Sequence, residues 1–138
     1  MAVGLTVKYY WYQIGTGDFL HSFFSTIAYN LENEKWGSKY PYLMNELYSG
    51  TLKVEHLKNA KYELEDIAKI LEKLPIEKAI WDIEDLSKPM PWGDKISSDI
   101  TDLSNYFVTS DGEDLITIIS HAIDKAIEID SDINITSI

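Results

Sequence analysis

The chain has no arginine and no cysteine among its 138 residues. Lacking cysteine, it has no disulfide frame, no thiol nucleophile and no cysteine-based zinc site, a composition that suits a reducing cytoplasm. Lacking arginine, it has no guanidinium for bidentate grip on phosphate, carboxylate or guanine edges, and all twelve basic residues are lysines. An AT-rich genome suffices to cause this, but the consequence stands: a nucleotide-handling or nucleic-acid-binding role is disfavoured. No apolar run approaches the roughly 20 residues of a membrane span. The N-terminus carries one lysine and no cleavable apolar core, so it does not read as a signal peptide. The expectation is a soluble cytoplasmic protein.

Carboxylates are abundant, and they are unevenly placed. From Asp82 onward there are 13 carboxylates against three lysines, a net −10 of the chain's −11. The first 81 residues hold 10 acids against nine lysines. A one-sided field of this kind repels nucleic acid and steers a basic macromolecule towards the surface, so it speaks for a partner more than for a reaction. The apolar fraction of 45% and aromatic fraction of 12% exclude a disordered chain. The length predicts a single domain over 1–138.

Residues 3–14 are β-branched and aromatic and predict one opening strand. After the turn at 15–18, Leu20, Phe23, Phe24, Ile27, Ala28 and Leu31 recur at helical spacing, with Asp18 as the expected N-cap. A short helix is predicted over 41–48, and a longer one from Leu57 to Leu74, stopped by Pro75. Residues 78–83 and 106–109 predict a second and a third strand. The last helix has a wide apolar stripe from Leu115 to Ile127, with Ser110 and Glu113 at capping-box spacing. Residues 130–138 predict a polar, frayed tail. Together these give an α+β fold, a small sheet of about three strands packed by three main helices.

Few residues form a recognisable reaction centre. Gly15 and Gly17 lack the third glycine and the lysine of phosphate-binding loops, and Asp18 sits where phosphate would go. His21, His56 and His121 share no ligand spacing. No serine lies in a nucleophile elbow, although a Ser-His-Asp site assembled from distant residues is not forbidden by sequence. Asp82, Glu84 and Asp85 follow a predicted strand; Asp82 and Glu84 would share a face there and could hold a divalent ion, with a solvated acidic loop the commoner outcome. Trp92, between two prolines and a glycine and flanked by carboxylates, has the makeup of a protein-binding anchor, or of a lid folded back on the sheet. Trp36 poses the same alternative, while Trp11 and Trp81 fall in predicted strands and are expected in the core.

Four stretches carry a resemblance: YYWYQIGTGDFLHSFFSTIAYNLE (9–32), YPYLMNELYSG (40–50), AIWDIEDLSKPMPWGDKIS (79–97) and ITDLSNYFVTSDGEDL (100–115). In this order they resemble the immunity protein 70 family of bacterial polymorphic toxin systems over nearly the whole chain. The resemblance implies a non-enzymatic cytoplasmic protein, without cofactor or metal, that binds the C-terminal domain of a cognate toxin and blocks it. Such toxins are often nucleases with basic clefts, which agrees with the acidic, arginine-free composition. The expected partner-binding residues are Asp82, Glu84, Asp85, Trp92 and Asp94, joined by Trp36. The rival readings are a small carboxylate- or metal-dependent hydrolase using the same loop, and a regulatory or scaffold protein docking another basic partner.

Overall fold

Residues 3–15 form a hairpin, not one strand. A computed structural model describes residues 2–93 and 96–137, and in it β1 (Val3–Val7) and β2 (Tyr10–Gly15) pair antiparallel around a two-residue turn. Lys8 takes φ 53° in that turn, the left-handed geometry that short hairpins need. A run of this length exceeds the usual strand of 5–6 residues, so a fold-back is the natural outcome.

The larger correction concerns the C-terminus. The predicted frayed tail contains β4 (Ile133–Ser137), which lies in the interior of the sheet. It pairs antiparallel with β1 on one side and with the two-residue β3 (Thr51–Leu52) on the other, giving the order β2-β1-β4-β3. The segment alternates: Ile133 is fully buried, while Asn134 and Thr136 are partly exposed on the far side. There Thr136 Oγ1 meets Thr6 Oγ1 at 2.7 Å, and Thr51 Oγ1 donates to Asn134 Oδ1 at 2.7 Å. Asp130, at φ 56°, ends the preceding helix in the left-handed conformation and redirects the chain into the strand.

The α+β class stands, with four antiparallel strands and three long helices among the described residues. These are α1 (Gly17–Leu31), α2 (Leu57–Leu71) and α3 (Leu115–Ile129). Their apolar stripes meet Leu5, Val7, Leu52 and Ile133 of the sheet in one core, with Phe23, Phe24, Ile27, Ile67, Ile119 and Ile123 fully buried. Cap details differ from the sequence expectation. Thr16, not Asp18, caps α1, its Oγ1 accepting from Phe19 N at 3.1 Å. Glu113 belongs to the turn before α3, donating its N–H to Thr109 Oγ1 at 3.2 Å, and no side chain caps that helix. The short helix expected at 41–48 is a π-helical turn, Tyr42–Leu47. The Glu63 carboxylate accepts its first N–H groups, from Tyr42 at 3.2 Å and Leu43 at 2.8 Å. Burial nonetheless raises the Glu63 pKa above the ordinary carboxylate range.

Residues 78–83 and 106–109 do not join the sheet. From Ala79 to Asp114 the described residues contain neither helix nor strand, only a single bridge between Val108 and Asp114. The 78–83 segment is held by side chains of α1 in place of a neighbouring strand. Asn30 Nδ2 donates to Lys78 O (2.8 Å), Ser22 Oγ to Ile80 O (2.6 Å), and Thr26 Oγ1 accepts from Ile80 N (2.9 Å). Ser25 Oγ accepts from Ile83 N at 3.2 Å. A half-buried extended backbone still needs partners for its inward N–H and C=O groups, and here the polar side of α1 supplies them. Ser22, Ser25 and Thr26 are accordingly fully buried.

Candidate partner-binding surface

The seam between α1 and residues 78–83 delivers the acidic loop to the N-terminal end of α1. There the chain turns, so Asp82 and Glu84 do not present a flat pair of carboxylates as extended chain would. Asp82 Oδ1 accepts the Glu84 N–H at 2.9 Å, and Lys88 Nζ lies 3.3 Å from its Oδ2. Asp85 Oδ1 accepts the Ser87 hydroxyl at 2.5 Å and the Ser87 N–H at 3.2 Å. Hydrogen bonds to the charged form favour it, so both carboxyls titrate below the ordinary aspartate range, Asp82 chiefly through the Glu84 N–H and Asp85 chiefly through the Ser87 hydroxyl. Glu84 between them and Leu86 after them project into solvent, Leu86 being 51% exposed.

Beneath the loop lies an aromatic platform. His21 stacks on Trp36 (5.8 Å between ring centres, 23° between planes), and Tyr48 meets Trp36 edge-on at 5.0 Å. The Tyr48 hydroxyl pKa is raised, first by burial and then by the charges of Glu84, Asp18 and Asp82. Tyr48 therefore feels the charge of carboxylates from two distant segments. Asp18 is the member that sequence reasoning missed as a site residue. The available signal was its spacing: on α1 it stands three and four residues before His21 and Ser22, on the side of the helix that holds the loop.

Trp36 is half-buried and donates its Nε1–H to Met44 O at 2.6 Å, so it contributes to packing as well as to the platform. Trp92 is likewise half-buried. Its Nε1–H is donated to the Tyr106 hydroxyl at 2.8 Å, and its ring stands edge-to-face on Trp81 at 5.7 Å. It lines a hollow of about 230 Å³ with Phe19, Ile100 and Val108, and a second hollow of about 400 Å³ lies beside Ala79, Met90 and Tyr106. Trp81 is only partly buried, and Trp11 is 38% exposed on the open side of the sheet, so neither is the core residue expected. Asp94 lies outside the described residues.

For hydrolytic chemistry the arrangement offers little. Ser25 Oγ is 3.4 Å from His21 Nδ1, but Ser25 is fully buried and its oxygen holds the Ile83 N–H. Among the described residues no three His, Asp or Glu side chains are placed to share a metal ion. No described helix is long and apolar enough to cross a membrane.

A family model described as immunity protein 70 matches residues 5–135, from within β1 to within β4, and takes in the acidic loop and the aromatic platform. The chain belongs to this family. Neither the curated proteins nor the solved structures contain a significant match. Membership makes the chain an immunity protein, whose partner is a toxin. The irregular segment from Ala79 to Asp114 is long for a fold of this size. Structureless stretches of this length inside a compact fold are uncommon and are usually functional. Here one is pinned to α1 by four side chains and exposes charge and aromatic edges at the same end.

Proposed function

We propose that this immunity protein neutralises its toxin in the cytoplasm by stoichiometric binding, not by an enzymatic reaction. The contact surface is the acidic end of α1: Asp18, Asp82, Glu84 and Asp85 around the His21–Trp36–Tyr48 platform, joined by Trp92, which packs further along the same loop on Trp81 and Tyr106. The observation that carries the proposal is that Ser25 Oγ holds the Ile83 N–H at 3.2 Å and lies 3.4 Å from His21 Nδ1, so the acidic turn after Ile83 stands next to the His21–Trp36 stack. Carboxylates packed round aromatic edges suit the lysine and arginine side chains of a basic cleft, through charge pairing and cation–π contact. A toxin C-terminal domain that acts on nucleic acid has such a cleft, and an acidic surface seated in it occupies the place of the phosphates. The first test is co-expression with the toxin domain, expecting rescued growth and co-purification; growth arrest with no complex would refute the proposal.

Two measurements locate the surface. The association rate is expected to fall about tenfold or more between 50 and 500 mM salt, because exposed charges steer the encounter and salt screens them. The combined Asp18→Asn, Asp82→Asn and Glu84→Gln variant should lose most of that salt dependence. Asn keeps an oxygen for the Glu84 N–H, so the turn survives. A flat salt response in the parent protein would sink the steering argument. Trp92→Ala should raise the dissociation rate by roughly 10–100-fold while leaving a cooperative melt. An unchanged rate from a folded variant would remove Trp92 from the contact surface.

A further inference from the structure

The sheet has an unprotected edge at β2. A two-residue turn makes Val7 and Tyr10 the closing pair of the hairpin, which exchanges both ladder bonds. The next pair, Thr6 and Trp11, exchanges none, so Trp11 turns its N–H and C=O towards the open side. Among the described residues nothing bonds to them; the neighbouring segment reaches β2 only at its far end, where Ser110 N donates to Ile14 O at 3.0 Å. Native edges are ordinarily guarded by charge, proline or a cover. This one reads Tyr-Trp-Tyr-Gln at 10–13, with no charged residue and no proline. Tyr9 and Tyr10 beside it are 98% and 47% exposed.

We propose that this edge pairs antiparallel with β2 of a second copy of the chain, joining two four-stranded sheets across a two-fold axis. Charge selects this occupant. Two copies carrying −11 each repel over most of their surface, but β2 has no carboxylate. The charges standing over it, Lys125 and Glu128, already neutralise each other at 2.8 Å, and Lys125 also lies over the Tyr10 ring at 4.8 Å. Antiparallel pairing brings the hairpin tip of one copy, with Lys8, to the far end of β2 in the other. Asp111 and Glu113 follow Ser110 there, both exposed. The same attraction is made twice, as two-fold symmetry requires. The acidic end of α1 takes no part, so the pairing does not depend on the toxin-binding proposal.

Four residues of strand bury well under the roughly 800 Å² per partner of a standard interface, so the dimer is weak, with a dissociation constant on the order of 10–100 µM. Sedimentation of the full-length chain from 5 to 500 µM tests this, with a concentration-dependent shift from monomer to dimer as the expected result. Trp11→Pro removes only an outward N–H from the ladder and should abolish the dimer without loss of far-ultraviolet circular dichroism. Should that variant fail to fold, Lys8→Glu serves instead, since it sets like charges together at both tips; it should weaken the dimer at least tenfold at low salt and less at high salt. A parent chain that stays monomeric at 500 µM overturns the inference, and so does a dimer indifferent to the folded variants. A monomeric parent whose toxin affinity falls in Trp11→Pro would assign the edge to a strand of the toxin instead.

Discussion

Deleting residues 131–138 is expected to leave a chain that does not fold. The deleted segment holds β4, whose loss separates β1 from β3 and leaves the two residues of β3 with no neighbour. It also removes Ile133, fully buried, and Asp132, whose Oδ1 accepts the Val54 N–H at 2.8 Å before α2. A buried isoleucine alone is worth about 2–5 kcal/mol when truncated. Adding the ladder along β1 brings the loss to the scale of the roughly 5–15 kcal/mol that keeps a domain folded. Circular dichroism and a thermal melt are the measurements: no cooperative transition is expected, and the cells should lose toxin protection with it. A cooperative melt within about 5 °C of the full-length protein would show that the tail is dispensable.

Glu32→Ala should cost about 3–5 kcal/mol and lower the melting temperature by roughly 10–20 °C. Glu32 is only 3% exposed, yet its carboxylate has three partners. Oε1 accepts from Gly37 N at 3.0 Å; Oε2 accepts from Lys39 N at 2.9 Å and Tyr40 N at 3.0 Å. Truncation leaves those N–H groups without an acceptor, each at about 1–3 kcal/mol. Glu32→Gln keeps one oxygen and turns an amide donor on the remaining N–H groups, so an intermediate loss is expected. The turn tolerates little rearrangement: Gly37 has φ 82°, and a Cβ there would lie 2.2 Å from the Asn45 side chain. This turn also carries Trp36, so loosening it should weaken toxin binding in molecules that remain folded. Equal affinity in parent and folded Glu32→Gln would detach Trp36 from the contact surface, and a melting temperature unchanged in Glu32→Ala would contradict the structural role of the carboxylate.

The three long helices were legible because each repeats its apolar residues over four turns, a signal that survives errors at the ends. Ile67, Ile119 and Phe23 are buried as their spacing requires. The strands were not. β3 is two residues long, too short for any alternation, and β4 reads Ile-Asn-Ile-Thr-Ser after a run of acids that resembles a tail. Conversely, residues 78–83 have the composition of a strand, but their backbone partners are hydroxyls and an amide of α1. Composition says that a segment prefers extended chain; it does not say what will satisfy its N–H and C=O groups.

Charge divides in the same way. By itself the sequence determined the acidic excess of the second half, the absence of arginine and cysteine, and a pattern close enough to the immunity protein 70 family to suggest it. Only the tertiary structure decided which carboxylates are used inside the fold and which are left to solvent. In the first half Glu32 and Glu63 are spent on backbone N–H groups, Glu46 on the Lys53 N–H and His56, and Asp66 on the Tyr40 hydroxyl. Asp18 escapes that use, and α1 carries it to Asp82 and Glu84, more than sixty residues further along. A count of charges treats all carboxylates alike. Which of them binds inward and which projects outward depends on where the chain leaves its unpaired N–H groups, and that is fixed only when the helices and sheet have packed.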